Sequence, residues 1–265
     1  MSKKLARIGF GATLAAMVGG AMLSAPAHAI TLTYQEREVA RVISLGGTCT
    51  GCELSGRDLS GATLTGASFR SATLIGSNLR GARLLSSNFT GSNFTRADLS
   101  GANLSAANFQ NTSLQNARLT GVTAMGAGFR NASLNATKID SADLAGAVFT
   151  ASILVGADFS QSRLFGASLD RIDARDANFS RAELMGANLS QAKLQGANFA
   201  NAQLQGARLS RAMLSHANFR NAQLRNTDIR GADLSGARNL TQSQINQACG
   251  DRSTALPRGL TVRTC

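Results

Sequence analysis

The hydrophobic positions of this chain recur with a period of five. From Leu54 to Leu234, every fifth residue belongs to one class, and the 37 positions hold 23 Leu, 10 Phe, two Ile and two Ala. Two residues before 33 of them stands a small residue, which is Ala at 25 positions and Ser or Thr at eight. Neither the helical period of 3.6 nor the strand period of 2 fits this spacing. The pattern predicts a coil with one large and one small inward position in every five residues.

The remaining positions favour turns, and the complete pattern resembles a known family. Ser, Thr, Asn and Gly are frequent there, as tight turns require, and typical blocks read A-D-L-S-G at 97–101 and A-N-F-A-N at 197–201. This pattern resembles the pentapeptide repeat proteins, whose consensus is A-(D/N)-L-x-x. The resemblance implies an all-β fold, a right-handed quadrilateral β-helix with four pentapeptides per coil and short helical caps. It also implies that both apolar positions point inward.

The spacing of phenylalanine supports a 20-residue coil independently of the resemblance. Nine of the ten core phenylalanines fall in two series with a spacing of 20, and the second series is displaced by ten. In a 20-residue coil each series would form an aromatic stack on one face, and the two faces would be opposite. Duplication of a 20-residue gene unit would produce the same spacing. The two series are Phe69, Phe89, Phe109, Phe129 and Phe149, then Phe159, Phe179, Phe199 and Phe219.

At two places the pattern is broken, and in each the large and small positions exchange their residue sizes. Where the large position is Ala124, the small position is Val122, and where the large position is Ala174, the small position is Ile172. Each exchange approximately conserves the volume of the two side chains, as a close-packed interior demands. We therefore predict that both members of each pair lie in the core.

The ends of the repeat, over 54–238, are predicted to carry caps, because the end of a solenoid exposes apolar surface and unpaired backbone. In the N-terminal cap, over 30–53, residues 33–45 are predicted to form an amphipathic helix that opens with a capping box at Thr33 and Glu36.

The C-terminal cap, over 239–265, is predicted to contain a second, short helix. Thr241 and Gln244 form its capping box, and Leu240 and Ile245 occupy hydrophobic-staple positions. Gly250 is predicted to terminate this helix.

The four cysteines lie outside the repeat, two at each end. In the rod that the resemblance implies, nine coils of roughly 4.8 Å separate the two pairs by about 40 Å, whereas a disulfide needs Cα atoms within about 7 Å. The expected pairs are therefore Cys49 with Cys52 and Cys249 with Cys265. A redox function for the C-x-x-C at 49–52 is the alternative, although the strand–helix context of a thioredoxin is missing.

The first 29 residues have the pattern of a signal peptide. Lys3, Lys4 and Arg7 precede an apolar, uncharged stretch at 8–23, and Ala27-His28-Ala29 fits the small-x-small cleavage rule. We expect cleavage after Ala29 and a periplasmic or secreted bacterial protein, in which both disulfides would form. An uncleaved membrane anchor is the alternative, but the stretch is short for a span. No transmembrane span is expected after cleavage.

The mature chain is basic, and one face is expected to concentrate the excess charge. The formal charge of +12 falls to +9 when Lys3, Lys4 and Arg7 are removed. An excess of positive charge favours anionic partners. When residues are assigned to the faces of a 20-residue coil, two acidic residues, Asp170 and Asp228, share a face with six arginines. These are Arg70, Arg130, Arg171, Arg208, Arg211 and Arg230.

The sequence contains no recognisable catalytic, metal or cofactor motif. Zinc would need two more ligands beside the C-x-x-C, and the one histidine of the mature chain, His216, falls on an outward corner. No serine nucleophile motif and no Gly-rich phosphate loop is present. We therefore expect no enzyme activity and no cofactor.

Two functions of different classes fit these features. The rod is either a binding scaffold for a protein or an anionic envelope component, or a purely structural spacer. The resemblance also suggests mimicry of duplex DNA by an acidic rod that binds DNA gyrase, but this chain is basic and carries an export signal. No nucleic acid partner is expected. The partner's identity, the oligomeric state and the physiological role do not follow from the sequence.

Overall fold

The repeat folds into a four-sided coil with 20 residues per turn. The computed structural model describes residues 48–262, 264 and 265, and the signal peptide and helix predicted over 1–29 and 33–45 lie outside them. One residue of each pentapeptide forms a parallel bridge with the residue 20 positions later, from Thr48 with Ser68 to Asn218 with Arg238. Four columns of bridges therefore run along the rod, and the 20-residue coil predicted from the phenylalanine spacing is confirmed.

The β structure consists of single bridges and not of extended strands. Each bridge has two bonds: Leu54 donates its N–H to the carbonyl of Thr73, and Thr73 donates to that of Cys52, at 2.7 and 2.8 Å. A β-turn follows at once, as when the N–H of Ala102 donates to the carbonyl of Leu99 at 2.9 Å. The described residues therefore form no extended strand, and the all-β prediction holds only for the pairing of coils, because the chain turns every five residues.

The turn explains which residues stand at the corners. The third residue of each turn has a positive φ, as at Gly101 with +68° and Asn111 with +57°. Glycine adopts this conformation without steric cost, and asparagine tolerates it better than most residues. His216 also lies at such a corner, with φ +61°, as its sequence position predicted.

Every residue at the large position of the repeat is buried in the interior of the coil. All 37 residues from Leu54 to Leu234 at this spacing are buried, with at most 6% of their surface exposed. The compensated pairs Val122 with Ala124 and Ile172 with Ala174 are buried to the same degree. The prediction that the pattern marks the core is therefore confirmed.

Two aromatic stacks run through this core. In the first stack the rings of adjacent coils lie 4.7–5.1 Å apart, and in the second 5.1–5.4 Å, with interplanar angles of 5–19°. Phe149 meets Phe159 edge to face at 5.7 Å, where one stack gives way to the other. Phe94, which belongs to neither series, packs edge-on against Phe89 and Phe109. The stacks predicted from the sequence are thus present.

Serine and threonine at the small inward position satisfy their hydroxyl groups inside the core. Ser87 donates to the carbonyl of Leu64 at 2.6 Å, and Thr137 donates to that of Leu114 at 2.7 Å. These hydroxyls are fully buried, where an unpaired polar group would be costly. The bond explains why Ser and Thr replace Ala here without interrupting the coil.

The N-terminal disulfide lies in register with the repeat. Cys49 and Cys52 are bonded to each other, with Cα atoms 5.3 Å apart. Cys49 occupies a large inward position, five residues before Leu54, and is 4% exposed. Cys52 occupies the small inward position that follows. The C-x-x-C spacing is therefore the spacing of two core positions.

The C-terminal cap is built on a helix, α1 (Gln242–Gln247). Both bonds of the predicted capping box between Thr241 and Gln244 are present, and Ile245 is fully buried. The side-chain amide of Gln244 donates to the carbonyls of Phe219 and Ala222, at 2.8 and 2.9 Å. The cap thereby satisfies backbone groups that the last coil leaves open.

The prediction that Gly250 ends this helix is wrong. The helix ends at Gln247, and Ala248 is already extended, because Cys249 pairs with Asp228 of the preceding coil. Gly250 instead pairs with Thr264, and a Cβ atom at this glycine would collide with the side chain of Val262. Its lack of a side chain lets the tail pack closely.

The tail itself is held by a disulfide and by one aspartate. Cys249 is bonded to Cys265, with Cα atoms 5.6 Å apart, so both expected pairs occur. Asp251 accepts hydrogen bonds from Gly231, Ser253 and Thr254. These bonds, above all that from the Ser253 hydroxyl, lower the pKa of Asp251 to about 2. The aspartate therefore stays ionised and keeps the tail attached to the last coil at neutral pH.

Candidate binding surface

The coil gives the rod four faces, each defined by its column of bridge residues. Face 1 carries the bridge residues 68 to 228, face 2 those from 73 to 233, face 3 those from 78 to 238, and face 4 those from 83 to 223, all in steps of 20. Side chains at the bridge and turn positions point outward, and successive coils lie about 4.8 Å apart. Any ligand of the rod must therefore recognise a ladder of outward side chains.

The six predicted arginines lie on face 1 and are exposed, but two of them are neutralised there. Arg171 pairs with Asp170 at 3.1 Å. Arg230 donates two bonds to Asp228, each of 2.8 Å, and this contact lowers the pKa of Asp228. No ion pair to a described residue is present at the other four, which are Arg70, Arg130, Arg208 and Arg211.

The rod does not bring these four together. Arg70 and Arg130 are three coils apart, and Arg130 and Arg208 are four coils apart, so that about 14 and about 19 Å separate them along the axis. Both distances exceed the Debye length of about 8 Å at physiological salt. Only Arg208, Arg211 and Arg230 gather at one place, within adjacent coils near the C-terminal end.

The excess positive charge is concentrated at the C-terminal end of the rod and not on one face. Residues 201–265 contain nine arginines and three aspartates, with no Lys and no Glu. Their side chains therefore carry a net charge of +6, half of the formal charge of +12 of the whole sequence. Face 3 is also basic, with six basic and four acidic residues at its bridge and turn positions. The face-by-face assignment missed this polarity, which a count along the coils would have found.

A polar cavity lies at the same end. It has a volume of about 380 Å³, and Arg225, Asn226, Asn246, Gln247 and the Cys249–Cys265 disulfide contribute to its wall. Cation and amide donors are the groups that bind carboxylate and phosphate oxygens.

Face 3 shows a different ladder, with a structural explanation. Asn178 donates to Asp158, Asn198 to Asn178, and Asn218 to Asn198, at 2.9–3.2 Å. Each of these side chains also accepts the N–H of the residue two positions later, as Ser180 donates to Asn178 at 3.1 Å. The asparagines join neighbouring coils, which accounts for their recurrence.

The described residues contain no group of His, Cys, Asp and Glu placed to hold a metal ion. In that part of the chain, no helix is long and apolar enough to cross a membrane.

The family model for pentapeptide repeats matches the chain in eight copies, which cover residues 49–139 and 142–238. The chain belongs to the pentapeptide repeat proteins. No curated protein matches it in sequence.

Solved structures of other pentapeptide repeat proteins resemble this one. HetL of the cyanobacterium Nostoc sp., involved in the regulation of heterocyst differentiation, is 28% identical with a TM-score of 0.52, over 83% of this chain and 98% of HetL. QnrB1, a plasmid-mediated fluoroquinolone resistance protein, is 22% identical with a TM-score of 0.47, over 68% of this chain and 92% of that one. A thylakoid lumen protein of Arabidopsis thaliana is 31% identical with a TM-score of 0.30, over 40% and 66%. These neighbours are right-handed β-helices.

Proposed function

We propose that this pentapeptide repeat protein is an exported, non-enzymatic scaffold whose basic C-terminal end binds an anionic envelope component. The concentration of arginine at residues 201–265 carries the proposal. In these coils Arg208 and Arg211 stand exposed, and Arg230 lies in the next coil. Several guanidinium groups held close together on one end of a rigid rod fit a polymer with repeated carboxylate or phosphate groups. The partner is a polyanion of this kind, and the rod acts by positioning it.

Reversing the charge of two arginines at this end tests the proposal. We expect Arg208→Glu with Arg211→Glu to weaken binding to poly-L-glutamate and to polyphosphate about tenfold or more, because two attractive contacts become repulsive. Raising the salt concentration should weaken binding of the unchanged protein as well. Fluorescence anisotropy with end-labelled polymer measures both effects.

A matched control is available on face 2. Arg96 stands at a corner with φ +60°, as Arg211 does with +58°, and Lys193 is a bridge residue, as Arg208 is. Arg96→Glu with Lys193→Glu therefore changes the net charge equally at equivalent positions. Equal losses of affinity in both double variants would show that the effect depends only on net charge. If the unchanged protein binds neither polymer, the alternative function as a structural spacer is favoured.

Export is tested separately. The expected N-terminus of the protein recovered from the periplasm or medium is Ile30, because Ala27-His28-Ala29 is the proposed cleavage site. N-terminal sequencing measures it directly. A cytosolic protein that retains Met1 would overturn the localisation and leave the binding result unaffected.

A further inference from the structure

An apolar ridge runs along face 4. Among the described residues, five large hydrophobic side chains are exposed, and three of them occupy the same turn position in alternate coils: Leu85, Met125 and Phe165, which are 40%, 50% and 57% exposed. The coils between them carry Ser105 and Ala145 at this position. Large and small residues therefore alternate at intervals of about 4.8 Å.

The pentapeptide pattern does not require this ridge. On face 1 the equivalent positions are polar or charged at every coil, from Thr50 through Arg130 to Arg230. On face 4 the half-buried Met185 extends the ridge by one coil. Exposed Met and Phe aligned along one surface are typical of protein–protein contacts.

We infer that face 4 binds face 4 of a second copy of this chain, with the two rods antiparallel. A two-fold axis between the coils of Met125 and Ala145 places each of these residues opposite the other in the partner copy. The same axis places Phe165 opposite Ser105, and Leu85 opposite Met185. Met125 and Phe165 then fit the gaps at Ala145 and Ser105, while Leu85 packs against Met185. The contact is self-complementary, as a two-fold interface must be.

The charges beside the ridge favour the same register. The axis brings Arg83 opposite Glu183 of the second copy, and this contact occurs twice. No ion pair to a described residue is present at Arg83, and the side chain of Glu183 is 40% exposed, with Arg163 at 3.7 Å. Moving the axis by half a coil, onto Met125, shifts the register by one coil and would oppose Arg83 to Arg163 and Phe165 to Leu85.

Sedimentation velocity of the purified protein from about 1 to about 200 µM measures the association. We expect the protein to dimerise and Met125→Ser with Phe165→Ser to weaken the dimer about tenfold or more. The control is Ile153→Ser with Met213→Ser, which removes the other two large exposed hydrophobic residues of the described part of the chain. Both lie on face 2, and their removal should leave the dimer unchanged. A monomer throughout this range, or equal weakening by the control, would overturn the inference.

A charge exchange tests the antiparallel register without removing apolar surface. Arg83→Glu and Glu183→Arg should each weaken the dimer severalfold, because each creates two like-charge contacts. The double variant restores both contacts in reversed sense and should recover the original affinity. If the double variant is weaker than either single one, the two residues do not face each other.

Discussion

Phe129→Ala is expected to lower the free energy of unfolding by about 3–5 kcal/mol, the range for a large aromatic residue removed from a core. The ring of Phe129 is fully buried and stacks on Phe109 and Phe149, with centroids 5.1 and 4.7 Å apart. Bridges hold the adjacent coils in place, so the backbone cannot collapse into the cavity. Urea denaturation of the variant and the unchanged protein measures the difference.

Two companion variants show whether the loss depends on the core. Leu144 is also fully buried, and Leu144→Ala should cost about 2–5 kcal/mol. Arg130 follows Phe129 but points outward, and Arg130→Ala should change the stability by less than about 0.5 kcal/mol. A cost below about 1 kcal/mol for Phe129→Ala would mean that the ring does not pack between coils.

The compensated pair at 122 and 124 should respond non-additively to mutation. Both residues are buried, and Ala124→Leu places a larger side chain beside Val122, so we expect a loss of about 1–3 kcal/mol from overpacking. Val122→Ala alone should also destabilise, because it leaves a gap. The double change restores the consensus of the repeat and should recover most of the loss from Ala124→Leu.

Denaturation of the two single variants and the double variant completes this test. Contacting residues typically show interaction energies of about 0.5–3 kcal/mol, whereas independent sites add to within about 0.5 kcal/mol. Additive effects would show that positions 122 and 124 do not share one space, and the explanation of the exchange as volume compensation would fail.

The sequence predicts the core of this protein almost completely, for a physical reason. Each pentapeptide places one large and one small residue inward, so the period records the geometry directly, and the spacing of Phe69 and Phe89 records the length of the coil. The buried hydroxyl of Ser87 was not predicted to bond to Leu64, because those residues are 23 positions apart.

Features that depend on the packing of the ends and on the outer surface were harder to predict from the sequence. The role of Gly250 depends on the position of Val262, which no local signal indicates. The pairs of Arg171 with Asp170 and of Arg230 with Asp228 depend on side-chain geometry at a corner. The ridge of Leu85, Met125 and Phe165 is visible as a 40-residue spacing only after each residue is assigned to a face.

The coil itself can be measured most directly by the distance between exposed positions on face 2. Spin labels at Gln115 and Ser235, which are 120 residues or six coils apart, should lie about 29 Å apart. Labels at Ser55 and Ser235, which are nine coils apart, should lie about 43 Å apart. Double electron–electron resonance measures both distances in the intact chain. Distances that rise in proportion to the number of coils are the expected result; distances that do not grow with sequence separation would contradict the 20-residue coil and the rod built from it.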